Sequence, residues 1–236
     1  MNRIKTFPVL ILLIIISSCK PSVKTENEFY IVGQMKDVMW KGKLGPSIQL
    51  DTIKNTQGLY GLGPVSYLSG ELLINDGQTY VSRVTSDTTM SVEKNNTISA
   101  PFFVYSNVKD WKIVDLPIEI QSIVQLQNFI TDNSKDLNKP FAFKLKGKVS
   151  KATIHIQNLP KGSKVSSPKE AHQGQVNYKI FDEDCTIVGF YSENHQGIFT
   201  HHDSYLHMHL ITDDEQKLGH LDDVKFDKIQ LYLPKN

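Results

Sequence analysis

Tyr205-Leu206-His207-Met208-His209-Leu210-Ile211, followed by Thr212-Asp213-Asp214-Glu215-Gln216-Lys217-Leu218-Gly219 and then His220, is the stretch on which the fold turns. Its first part alternates like a strand, and a period of two puts His207 and His209 on the same face. The middle has loop chemistry, with acidic residues at its start and a glycine at its end. An antiparallel return strand would carry His220 back beside the first pair, so that three imidazoles converge on one metal ion. Neutral imidazole is a good zinc ligand, and three protein ligands leave a fourth position for water or substrate, which is the catalytic arrangement. A structural site would be closed by a fourth ligand, and no cysteine stands nearby to supply one. The residues alone also fit three polar histidines on a solvated hairpin.

Outward from this hairpin, the chain is mostly short strand-like runs between turn signals. Glu71 to Arg83 reads as a second hairpin: the apolar GELLIN run, an Asp76-Gly77 turn, then the return QTYVSRV. Phe141–Gly147 and Thr186–Tyr191 read as further strands. Two segments read as helical. Ser47–Lys54 would be a short helix, and Asp115–Ile130 a longer one with Asp115 as N-cap and Pro117 in the first turn. No internal repeat or low-complexity tract is present. The pattern predicts an α+β domain of mixed or antiparallel β-sheets with few helices.

The 236 residues divide unevenly. Asn2-Arg3-Ile4-Lys5 is a short basic region before the apolar run VLILLIII, Val9–Ile16, and Ile16-Ser17-Ser18-Cys19 closes it. A mature membrane-spanning helix needs about 20 apolar residues, so the run has the size of a secretory signal. The small residues before a cysteine resemble a bacterial lipoprotein cleavage box. The expectation is a lipoprotein signal peptide over residues 1–18, lipidation at Cys19, a polar tether over 19–28 and one domain over 29–236. The protein would then be exported and held to a lipid membrane, on the periplasmic or cell-surface side. Lipidation of Cys19 leaves Cys185 as the remaining cysteine, so no intramolecular disulfide forms, and its apolar neighbours mark Cys185 as a buried small hydrophobe. The charge balance, 26 basic against 25 acidic residues with no basic stripe, argues against nucleic acid as a partner.

Four segments together resemble the alpha-acetolactate decarboxylase family. GLGPVSYLSGELLINDGQTY (residues 61–80) is similar to a glycine-rich loop leading into a G-E-hydrophobic strand and a D-G turn. KPFAFKLKGKV (139–149) is similar to the family's strand ending in an I-D-G-like turn. TIVGFYSENHQGIF (186–199) resembles its G-T-x-V-G-F strand. YLHMHLITDDEQKLGHLDD (205–223) resembles its H-L-H-F, acidic loop, G-G-H and aspartate sequence. The resemblance runs in the family's order across most of residues 40–232.

It implies an acetolactate decarboxylase-like fold, with His207, His209 and His220 as zinc ligands and Glu71 as the glutamate beside the metal. Where the family has an arginine, the count from Gly147 arrives at His155, which would take over part of its duty. The second glutamate that the family returns from a tail has no counterpart in Leu231–Asn236, and the loop from Gly197 to His207 is longer than usual, adding His201 and His202. His172, His195, His201 and His202 are expected to be solvated loop residues without a role. The implied activity is zinc-dependent decarboxylation of 2-acetolactate, a small anionic keto acid, to acetoin and carbon dioxide. In it Zn2+ chelates the hydroxyl and ketone oxygens, and Glu71 and His155 serve the reaction. A non-catalytic zinc-binding lipoprotein of the same fold and a related metalloenzyme for another small keto acid stay open, as does a homodimer.

Overall fold

Apolar–polar alternation dominates the chain, and strands dominate the computed structural model, which describes residues 28–235. The expected signal peptide, the lipidation site Cys19 and all of the tether but Glu28 lie outside the described residues. In chain order the elements are β1 (Phe29–Val32), α1 (Met35–Lys41), β2 (Ile48–Gln49), β3 (Leu59–Pro64), β4 (Glu71–Asn75), β5 (Gln78–Val84), β6 (Met90–Lys94), β7 (Ser99–Ala100) and β8 (Phe103–Asn107). There follow β9 (Trp111–Asp115), α2 (Ile123–Asn133), β10 (Phe141–Ile156), α3 (Pro168–Ala171), β11 (Val176–Tyr191), β12 (Leu206–Thr212) and β13 (Leu218–Pro234).

Two antiparallel sheets result. The first has the order β1-β8-β3-β4-β5-β6. The second runs β10-β11-β12-β13-β9, and an additional β10–β13 pairing closes four of its strands on one another. Closure removes the exposed edges that long strands would otherwise present. β2 and β7 form a separate small pair.

Parity along each strand decides what meets what. On β4, Leu73 faces the second sheet and packs with Val188, Ile211 and Leu218. Leu72 and Ile74 point the other way, into a cluster with Val81 and Phe103. The second sheet's opposite face, with Ile154, Met208 and Leu210, packs under Leu126 and Ile130 of α2. Glu71 shares the parity of Leu73, and His209 that of Ile211, so both point into the seam between the sheets.

The Glu71–Arg83 hairpin forms as expected, around Asp76 (φ 50°) and Gly77 (φ 83°), both in the left-handed region that a two-residue hairpin turn demands. The expected strands are present, although β10 and β11 each extend to 16 residues. The helix expectations need correction. Asp115 ends β9 opposite Gln230, and the helix begins only at Ile123. There Ser122 accepts a hydrogen bond from the Gln125 amide, and the Gln125 side chain accepts one back from the Ser122 hydroxyl. Ser122 and Gln125 stand at capping-box spacing, and this start competes better than Asp115 followed by proline. Ser47–Lys54 is not a helix but the strand β2 and a single 3-10 turn over Leu50–Thr52.

Candidate functional site

Strand register assembles the site. On β13, His220 pairs with His209 of β12 on one side and with His155 of β10 on the other. Laterally paired residues point to the same face, so His155, His220 and His209 form one row across three strands, and His207 lies two residues along β12 on that face. The ring centroids stand 5.2 Å apart for His207–His209, 5.0 Å for His207–His220 and 5.5 Å for His209–His220. Three imidazoles on one tetrahedral zinc, with Zn–N near 2.0–2.1 Å, place their centroids about 5 Å apart.

Gly219 makes this crossing feasible. A Cβ there would lie 2.6 Å from the His155 carbonyl oxygen and 3.1 Å from the Ile154 side chain. β13 therefore approaches β10 more closely than any residue with a side chain would allow.

A bulge supplies the next group. Thr153 pairs with Asp223 but Ile154 pairs with Leu221, so Asp222 is the extra residue on β13. Bulges redirect side chains, and here Asp222 Oδ1 accepts from His155 Nδ1 at 2.7 Å and from His220 Nδ1 at 3.2 Å. Burial pushes the Asp222 carboxyl up, but the hydrogen bonds to His155 and His220, with the charges of those rings, outweigh it and hold it below the usual carboxylate range. The His155 and His220 rings stack at 4.5 Å over this shared oxygen.

Glu71 enters from the other sheet. It is 2% exposed, its Oε1 accepts from the Gln157 amide at 3.2 Å, and its Oε2 lies 3.7 Å from His209 Nε2. Burial raises its pKa well above the ordinary value, against the Gln157 hydrogen bond, and the Asp222 charge adds to the rise. The imidazoles shift the opposite way. Burial, then the neighbouring His220, push His207 and His209 well below 6.5, and burial with the adjacent His155 pushes His220 down to about 3. All three are held as neutral rings, the form that binds metal.

Two donor sets share His220. His155, His220 and Asp222 have ligand atoms all within 4.8 Å of one another and could hold a metal. Their closest atoms are already joined by the two Nδ1–H···Oδ1 bonds, which makes Asp222 better suited to orient the rings from outside. The wider set is His207, His209 and His220. Here buried nitrogens of His207 and His209 lack well-formed hydrogen bonds, with only the backbone at Phe199 and Leu72 acting on the two rings, a costly state that a cation would relieve. The wider set fits a metal better.

The cluster forms one wall of a cleft of about 240 Å³, faced by Met35, Met39, Leu68 and Phe102. His155 and Gln157 line it, and Lys36 is the one lysine or arginine among its lining residues. Arg83 is engaged elsewhere, donating to the Ser69 carbonyl at 2.7 Å.

The structure brings all five expected residues together: Glu71, His155, His207, His209 and His220. It corrects the reading of two histidines, His195 and His201, as solvated. His201 Nε2 lies 2.9 Å from His220 Nε2, while His172, exposed as expected, lines the cleft 6.4 Å from the His155 ring. His202 is solvated as expected, its side chain 90% exposed where it reaches the rim of the cleft. His195 is not solvated, bonding through Nδ1 with the Ser192 hydroxyl. Sequence reasoning missed Gln157, which stands two residues after His155 where a period of two would have found it, and Asp222, which the bulge on β13 brings in. No sequence signal announces His201.

The family model for alpha-acetolactate decarboxylase matches residues 30–235. Alpha-acetolactate decarboxylase of Brevibacillus brevis is 25% identical over 178 residues, which make up 75% of this chain, and the chain spans 60% of the length of that curated relative. The crystal structure of alpha-acetolactate decarboxylase from Bacillus subtilis strain 168 is similar with a TM-score of 0.73 at 23% identity, covering 88% of this chain and 86% of the other. A Staphylococcus aureus protein of unknown function, described as similar to alpha-acetolactate decarboxylase, reaches 0.73 at 19% identity over 86% of this chain and 84% of its own. These structures share the antiparallel, helix-poor fold.

Proposed function

The chain belongs to the alpha-acetolactate decarboxylase family, and from that premise we propose that it decarboxylates 2-acetolactate to acetoin with zinc held by His207, His209 and His220. One observation carries the reading. The histidine row of the second sheet and the buried Glu71 of the first meet at one cleft, although the two lie far apart in sequence.

Loss of carbon dioxide breaks the bond between carboxyl carbon and hydroxyl-bearing carbon, and the electron pair passes toward the neighbouring ketone oxygen. When bound, zinc supplies Lewis-acid stabilisation of that developing charge. The chain's own residues do the rest. The wall of Met35, Met39, Leu68 and Phe102 takes the two methyl groups and excludes water. Asp222 accepts the Nδ1–H of His155, so His155 turns the lone pair of its other nitrogen to the cleft, beside the Gln157 side-chain amide, where the substrate hydroxyl can donate to it. Glu71, whose affinity for a proton burial raises, is placed to give a proton to the carbon that has lost its carboxyl group, leaving acetoin.

The test is to measure bound zinc and acetoin formation on one preparation of the purified domain. Zinc-replete protein that leaves 2-acetolactate unconsumed refutes the decarboxylase. The basic, apolar and ISSC segments that precede the domain support its export and anchoring through lipid on Cys19. Cys19→Ser should release the protein from membranes, and unchanged membrane association refutes the anchor.

A further inference from the structure

We propose that His201 is a fourth imidazole ligand to the metal held by His207, His209 and His220. The loop between β11 and β12 carries it and is seated firmly. The Met35 and Lys36 amides at the start of α1 donate to the Ile198 and Gly197 carbonyls, each at 2.8 Å. Phe199 and Thr200, immediately before His201, are fully buried. This seating aims the His201 ring at the histidine row, with centroids 5.0 Å from His220 and 6.1 Å from His207.

The decisive contact is Nε2 to Nε2, 2.9 Å between His201 and His220. Asp222 accepts from the Nδ1 side of His220, so the neutral His220 ring carries its lone pair on Nε2, the atom His201 faces. Two imidazole nitrogens on one tetrahedral zinc stand about 3.4 Å apart, so a displacement of a few tenths of an ångström converts this contact into shared coordination. His201 also borders the cleft beside Glu71 and Phe102, where an incoming substrate meets the metal. The ligand therefore closes the coordination shell in the resting protein and gives way, or is joined, when substrate arrives.

The inference rests on the three-histidine reading of the centre, and the variants separate the two. Zinc content, zinc affinity by chelator competition and zinc-edge X-ray absorption are measured on wild type, His209→Ala, His201→Ala, His201→Gln and His202→Ala. Wild type should hold one zinc with four imidazoles. Both His201 variants should keep zinc with three imidazoles and one oxygen ligand, and bind it more weakly by about 10–100-fold, the scale on which even outer-sphere partners of a metal act. His202→Ala should match wild type, and His209→Ala should lose the metal. If the His201 variants keep the wild-type affinity and scattering, or wild type shows three imidazoles, the fourth ligand is refuted and the three-histidine centre stands. Wild-type protein without zinc refutes both.

Discussion

Asp222 governs two rings through one oxygen. Its Oδ1 accepts from His155 Nδ1 and His220 Nδ1, fixing the tautomer of each, so that one ring offers its free nitrogen toward the metal position and the other toward the cleft. Asp222→Ala removes both acceptors and should weaken zinc binding by about 10–100-fold while leaving the metal measurable by chelator competition. Outright loss of zinc would make Asp222 a ligand, as the tight His155, His220 and Asp222 grouping allows. Unchanged affinity would remove it from the site altogether. The HxH pair and His220 were legible because a period of two and a hairpin length are local properties. Asp222 stood in the quoted sequence, but its role depends on a bulge, which register between distant strands decides. His201 was beyond reach, because its loop is positioned by backbone hydrogen bonds to α1, roughly 160 residues earlier by sequence number.

At the scale of elements, the long strands β10 and β13 carry the site, and their crossing depends on Gly219. With an added Cβ 2.6 Å from the His155 carbonyl oxygen, Gly219→Ala must push β13 away from β10. Overpacking of this kind costs about 1–3 kcal/mol, so denaturant unfolding should register a clear loss of stability. Zinc affinity should fall as well, because His155 and His220 are register partners across this contact. A destabilised variant with full affinity would show that the crossing serves packing alone. Elements with strong local signals were legible: the Asp76-Gly77 hairpin, the strand before Gly147, the strand before Tyr191. The helix over Asp115–Ile130 was misread because apolar residues at helical spacing continue back through Leu116 and Ile120, whereas the cap at Ser122 decides where helix begins. The helix α1 was missed although Gly42, in left-handed geometry at φ 62°, ends it in the ordinary way.

Across the whole molecule, the site lies in the seam between two sheets, so its ionisation is coupled to folding. In metal-free protein His207 and His209 have pKa values well below 6.5, and that of His220 is about 3. An unfolded chain protonates all three as pH falls through 6.5, whereas the folded chain resists, so it binds fewer protons and loses stability as pH falls from 6.5 toward about 3. Glu71 acts with the opposite sign. Its folded pKa is well above 4.5, so the folded chain keeps a proton that the unfolded chain releases, and stability falls as pH rises through that folded value. Below 6.5 these three histidines, joined by His172 and His201, which burial also lowers, oppose one glutamate, and stability rises with pH. Above 6.5 the histidine contribution is complete. The melting temperature of chelator-treated protein should therefore fall as the solution is acidified below pH 6.5. Glu71→Gln should remove the opposing glutamate contribution and so steepen the acid decline. Zinc binds the neutral rings in competition with protons, so added zinc should raise the melting temperature most on the neutral side and progressively less as the solution is acidified. An acid decline no steeper in Glu71→Gln than in wild type would show that burial does not raise the proton affinity of the carboxyl in the seam.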